Sequence, residues 1–222
     1  MSFQLLYIFL IGLVGYTIAL LSGGGGSLLV LSGMNYLLDP KTTATIINFS
    51  ETVVQPYRLW LFWQHINWQI VGYYTPFAVI GSWLGAKSLS LFSINWIRLT
   101  TAFFLLSTPF QFILTSNEKA ERSFPMTLEW FGPLGFVSAY LSALIGATGP
   151  VENPFYFNYR HSDDSKIKPV EMIATKTANN FIKGLSRFLG YWAFGLLNTK
   201  YFTMTLTLTA SEIVGTTLGY HV

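Results

Sequence analysis

Four stretches of this sequence, residues 3–22, 70–86, 99–115 and 130–149, contain no Asp, Glu, Lys or Arg. Each runs 17–20 residues, close to the roughly 20 that a helix rising 1.5 Å per residue needs to cross a bilayer core. Residues 42–63, 169–197 and 201–220 have similar or greater length and carry a few charges. Apolar types make up 51% of the 222 residues and charged types 10%, whereas a water-soluble domain wets its surface with about 25% charged residues. The expected fold class is an all-α polytopic membrane protein, its seven spans embedded in a lipid bilayer.

Other bulk properties exclude more than they assign. A net charge of +3 fits basic cytoplasmic loops, and no basic patch interleaved with aromatics suggests nucleic acid as a partner. Without Cys there is no disulfide framework, thiolate chemistry or Cys-ligated metal. His65, His161 and His221 are dispersed at span ends, and neither a His-Glu-x-x-His nor a Gly-x-x-x-x-Gly-Lys-Ser/Thr motif occurs. No enzyme activity, metal or cofactor is expected. Met1-Ser2-Phe3-Gln4 has no basic character, so residues 3–22 read as a retained span. Trp60, Trp63 and Trp68 cluster at one span end, as interfacial belts do. Threading the seven spans alternately with the amino terminus outside places Lys41, Lys87, Arg98, Arg160, Lys166 and Lys168 inside, and Lys119, Arg122 and Lys200 outside. That is the orientation the positive-inside rule favours, in a multi-pass protein of the prokaryotic inner-membrane kind.

The chain repeats itself. At a shift of 120, Gly12, Gly15, Ala19, Leu21, Ser22 and Gly26 match Gly132, Gly135, Ala139, Leu141, Ser142 and Gly146. Ala44-Thr45 matches Ala174-Thr175 at a shift of 130, and Gly81-x-x-x-Gly85 matches Gly215-x-x-x-Gly219 at 134. Ordered matches with growing offset point to duplication. Two homologous four-helix repeats are expected, residues 1–116 and 127–222, joined by an extramembrane linker at 117–126. The first copy continues past Gly85 through a further span, 93–114, while the second stops at Val222. Truncation of the last helix is therefore expected. Gly81 and Gly215 are expected at close helix contacts, since small-x-x-x-small spacing lets backbones approach. Four spans per copy imply parallel repeats unless a glycine break turns back as a re-entrant hairpin.

Each copy runs from an apolar span into a glycine break, Ser22-Gly23-Gly24-Gly25-Gly26-Ser27 and Gly146-Ala147-Thr148-Gly149-Pro150. Consecutive glycines make a poor helix interior, each costing about 1 kcal/mol relative to Ala. Residues 27–38 are then too short to span, and irregular backbone at membrane depth persists only against protein or a wet cavity. Helix N-termini cradle anions, and paired breaks in two halves point to a transport site. The breaks are expected inside the bilayer, facing each other across a polar cavity, with Gly24, Gly25, Gly26, Gly146, Thr148 and Gly149 at the substrate. A glycine-rich external loop is the plain alternative.

Two spans add polar side chains. Thr45, Asn48, Thr52, Gln55 and Arg58 share one helical face on the second, as do Lys176, Asn180, Lys183 and Arg187 on the sixth. A charge at the bilayer centre costs at least ~2.5–3.5 kcal/mol, so such residues face a bundle interior or a cavity. Arg58, Lys176, Lys183 and Arg187 against Glu51 and Glu152 leave two positive charges in excess, which favours an anion. Asn48, Gln55, Lys176 and Asn180 complete the expected binding set, and Glu51 and Glu152 are candidates for a coupling ion. Snorkelling arginines and a Glu51–Arg58 pair are competing structural readings.

The sequence resembles the sulfite exporter TauE/SafE family of membrane transporters along nearly its whole length. The likeness rests on Ser22–Ser27, Val54-Gln55-Pro56-Tyr57-Arg58-Leu59-Trp60-Leu61-Phe62 and Ile66-Asn67-Trp68 in the first half. In the second half it rests on Gly146-Ala147-Thr148-Gly149-Pro150 and Ala174-Thr175-Lys176. The resemblance implies two homologous four-helix repeats and a small anionic substrate such as sulfite or a sulfonate. Two departures stand out. Val30-Leu31-Ser32 follows the first break where the family has a proline, and Glu152 stands where an apolar residue is usual. The function expected is secondary active transport of a small anion, with its site between the repeats. A passive anion channel and a non-transporting assembly subunit are the alternatives. The sequence leaves the oligomeric state open.

Overall fold

The computed structural model describes residues 2–21, 26–115, 126–161, 163 and 165–221. Nine α-helices occupy them: α1 (Ser2–Leu21), α2 (Ser27–Leu37), α3 (Pro40–Phe62), α4 (Trp68–Leu91), α5 (Ile94–Thr115), α6 (Phe131–Ile145), α7 (Gly149–Asn158), α8 (Pro169–Ala193) and α9 (Phe202–His221). The seven expected spans correspond to the long helices, and α2 and α7 are the short helices after the breaks. The expected linker lies almost wholly outside the described residues.

Local chemistry sets the starts. Asp39 caps α3 by accepting from the N–H groups of Lys41 and Thr42 at 3.0 and 3.1 Å, and Pro40 fills the first turn, where no N–H is required. Asn67 caps α4 through the Ile70 N–H at 3.2 Å. Gly146 ends α6 at φ +97°, a left-handed conformation that a side chain would strain, while its N–H bonds Ser142 O at 2.9 Å.

Windows of 18 residues, Phe3–Leu20 within α1 and Leu128–Ile145 covering α6 and the helical turn before it, reach mean hydropathies of 2.0 and 1.3. In α3, α8 and α9 the apolar residues are interrupted by buried Asn, Thr, Ser and charged side chains. Burial is inverted relative to a water-soluble bundle. Glu152, Lys183, Arg187 and Glu212 are at most 2% exposed, whereas Leu10, Phe103, Leu106 and Leu218 are 50–76% exposed. Charges inside and hydrocarbon outside is the arrangement that a lipid solvent demands.

Both short helices double back. Along α1, Gly26 abuts the backbone of Gly15 and Ala19, Gly15 faces Val30, and Gly33 faces Ile11. Along α6, Ser138 bonds Glu152 of α7, and Phe131 meets Tyr156 and Tyr159 edge-on at 5.0 and 5.5 Å. Each hairpin returns the chain to the end of the bundle from which its long helix set out. Met126 accordingly bridges to Tyr159. This changes the threading. Lys41, Lys87, Arg98 and Lys200 lie at the end where α1 begins, and Arg160, Lys166 and Lys168 at the end where α6 begins. Simple alternation put Lys41, Lys87 and Arg98 together with the second group. Among the described residues the two ends then carry four and three of these basic side chains, and Lys119 and Arg122 fall outside the described residues.

Two parallel helix pairs lock the bundle. α9 lies along α1, where a Cβ on Gly215 would come within 2.8 Å of Leu13 O and one on Gly219 within 3.1 Å of Thr17 O. α4 lies along α6, where Gly81 abuts the backbone of Phe136 and a Cβ on Gly85 would come within 2.7 Å of Tyr140 O. Gly12 faces Ser211 in the first pair and Gly132 faces Phe77 in the second. Gly81 and Gly215 thus occupy the close contacts that their spacing anticipates. The polar helices α3 and α8 cross between these pairs, antiparallel, with Asn48 against Tyr191 and Thr52 against Gly184.

Candidate functional site

The second break opens on a cavity of about 90 Å3, several times the ~10–15 Å3 that one water needs. α6 stops at Ile145, Gly146 turns the chain, and Thr148 and Gly149 start α7 at the wall. α8 contributes Lys176, Asn180 and Lys183, and α3 contributes Glu51, Gln55 and Arg58. Tyr16 of α1 and Ser27 of α2 close the far side.

A charge network surrounds this space. Lys183 Nζ donates to Glu152 Oε1 at 2.6 Å, and Ser138 and Tyr74 surround the same carboxylate. Arg187 reaches Glu51 at 3.7 Å and donates to the Ser142 hydroxyl. Arg58 pairs with Glu212 at 3.3 Å and donates to Thr216 Oγ1 at 2.9 and 2.7 Å. Each pair joins two different helices, and a buried pair resists loss of one partner by about 3–5 kcal/mol. Lys176 Nζ donates to Asn153 Oδ1 and sits 5.8 Å from the Tyr156 ring centroid, whose hydroxyl is held by Asn179.

Several sequence expectations change here. Glu51 and Arg58 do not pair with each other; each finds a partner on another helix. Arg187 is 1% exposed and does not snorkel. Glu212 joins the interior charges, so the described interior holds Arg58, Lys176, Lys183 and Arg187 against Glu51, Glu152 and Glu212. The surplus is one positive charge and not two. Glu212 is the sole acid of α9 and is fully buried; an ionisable residue at membrane depth is itself the signal that could have found it.

Gln55, Gly146, Thr148, Gly149, Lys176, Asn180, Glu51 and Glu152 come together around the cavity. Asn48 does not reach it. Its amide donates to Ser142 O at 3.2 Å and to the Tyr191 hydroxyl at 2.6 Å, and that hydroxyl donates to Ala143 O at 2.5 Å. Asn48 therefore ties α3 to α8 and to the last turn of α6. Gly26 packs against α1, and Ser27 beside it faces the cavity. Gly24 and Gly25 lie outside the described residues. Tyr16, Ser142 and Thr177 line the space as well, unannounced by the stripes because they flank or oppose them.

No match was found among curated proteins or among solved structures. The family model described as sulfite exporter TauE/SafE matches residues 8–222. That span contains the second hairpin, all but the first turns of α1 in the first, and every residue of the cavity wall, and the chain belongs to the sulfite exporter TauE/SafE family of membrane transporters.

Proposed function

We propose that the protein is a secondary active transporter that binds a small anion, sulfite or a small sulfonate, in the cavity at the second break. The observation that supports this reading above all is the buried ammonium of Lys176, lining that cavity beside the start of α7. A helix N-terminus carries partial positive charge and unbonded N–H groups, and an ammonium next to it deepens the potential that an anion would meet. Thr148, Gln55 and Asn180 add neutral donors on the same wall. In this reading Lys183 and Glu152 neutralise each other and fix the wall, Asn48 braces it through Tyr191, and the compact volume selects anions of few heavy atoms. The two hairpins enter from opposite ends of the bundle, the inverted relation on which alternating access is commonly built.

The test is direct binding to purified protein. Sulfite and methanesulfonate should bind the native chain, the neutral isostere dimethyl sulfone should not, and Lys176→Ala should weaken the anions while the protein stays folded. Equal affinity in the native and Lys176→Ala proteins, or equal binding of the sulfone, refutes the site.

A further inference from the structure

Behind the cavity wall lies a second constellation that the anion site does not use. Glu212 of α9 is 0% exposed and does not line the cavity. It accepts from the Ser50 hydroxyl at 2.8 Å and pairs with Arg58 at 3.3 Å. The charged and titratable groups around it are Arg58 and Glu51 of α3 and Tyr16 of α1. Arg58 has two sides. One lines the cavity, and the other is held by Glu212, by Thr216 and by the face of Tyr16 at 5.6 Å.

We infer that Glu212 is the proton-binding group that couples proton movement to anion movement, with Arg58 as the shared element. This rests on reading the cavity as an anion site. An anion entering beside Arg58 competes with Glu212 for one guanidinium. A carboxylate buried without its counter-charge is costly, and the cost is removed when a proton from solvent adds to the carboxylate oxygen. Arg58 stays charged throughout. The anion and one proton thus enter the occupied state together, and by linkage each tightens the other. The other two interior carboxylates are placed differently. Glu152 is held by the Lys183 ammonium at 2.6 Å and by Ser138, and Glu51 pairs with Arg187, a residue outside the cavity lining.

The experiment measures proton uptake by purified native protein in weakly buffered detergent solution, using methanesulfonate and thiosulfate, which stay ionised throughout. Uptake of about one proton per bound anion is expected, with affinity weakening by up to about tenfold per pH unit on the alkaline side. Glu212→Gln, which mimics the protonated carboxyl, should bind with the tight affinity at every pH and take up no proton. Ser50→Ala keeps every charge but removes a donor to the ionised carboxylate, so it should extend tight binding to higher pH. Anion binding without proton uptake, a pH slope that survives Glu212→Gln, or a slope abolished by Glu51→Gln or Glu152→Gln instead, overturns the assignment to Glu212 and leaves the anion site standing. Failure of both probes to bind the native protein overturns the two together.

Discussion

The two hairpins share a backbone plan and differ in what holds them. In the first, α2 meets α1 through glycine and aliphatic contacts, with Val30, Leu31, Gly33 and Met34 buried. In the second, α7 meets α6 and α8 through Glu152, Ser138 and Lys183, and Asn153 receives Lys176. One hairpin is closed by packing and the other by charge. The two hairpins are therefore similar frames, and the buried charged side chains are concentrated in one of them. The apolar hairpin costs little to bury and brings Ser27 and Tyr16 to the cavity that the charged hairpin also lines.

The largest test of this contrast is Lys183→Met. It strands Glu152 in the interior and should lower stability by about 3–5 kcal/mol, measured by thermal unfolding in detergent. Adding Glu152→Gln should restore most of the loss. An unaltered single variant would mean that charge does not close the second hairpin. Lys176→Ala comes next: anion affinity should fall about tenfold to a hundredfold, the worth of a charge-assisted hydrogen bond, by titration calorimetry. Gly146→Ala should cost about 1–2 kcal/mol through its left-handed backbone. At Gly26, with φ −67°, the obstacle is instead the α1 backbone. Ser27→Ala is the smallest, expected to change anion affinity by no more than about twofold. A larger effect there would give the first hairpin a direct share in binding.

The helices, the breaks and the locking contacts were legible because each has a local signature: an apolar run, a glycine cluster, or small residues four apart. The direction of the chain after each break was not. Hydropathy is the same whether α7 continues outward or turns back along α6, and the turn is decided by Ser138 meeting Glu152 and Phe131 meeting Tyr156. Partners across helices were hidden for the same reason. Arg58 and Glu51 looked like neighbours on one helix, but Glu212 and Arg187 reach them from helices far along the chain. The stripe on α3 was read correctly as inward-facing, and Asn48 still belongs to a brace and not to the cavity. Periodicity reports which way a residue faces and cannot report what occupies the space in front of it.

The pairing of α1 with α9 has a consequence in time. α1 is the first of the described helices, and its partner α9 is the last of them. At roughly 5–20 residues per second, a growing chain would carry the unfilled glycine face of α1 for about 10–40 s before α9 appears. Gly12 leaves a shallow groove for a lipid tail to fill during the wait, whereas α4 gains α6 much sooner. Of the two locking pairs, α4 with α6 can therefore close well before α1 with α9.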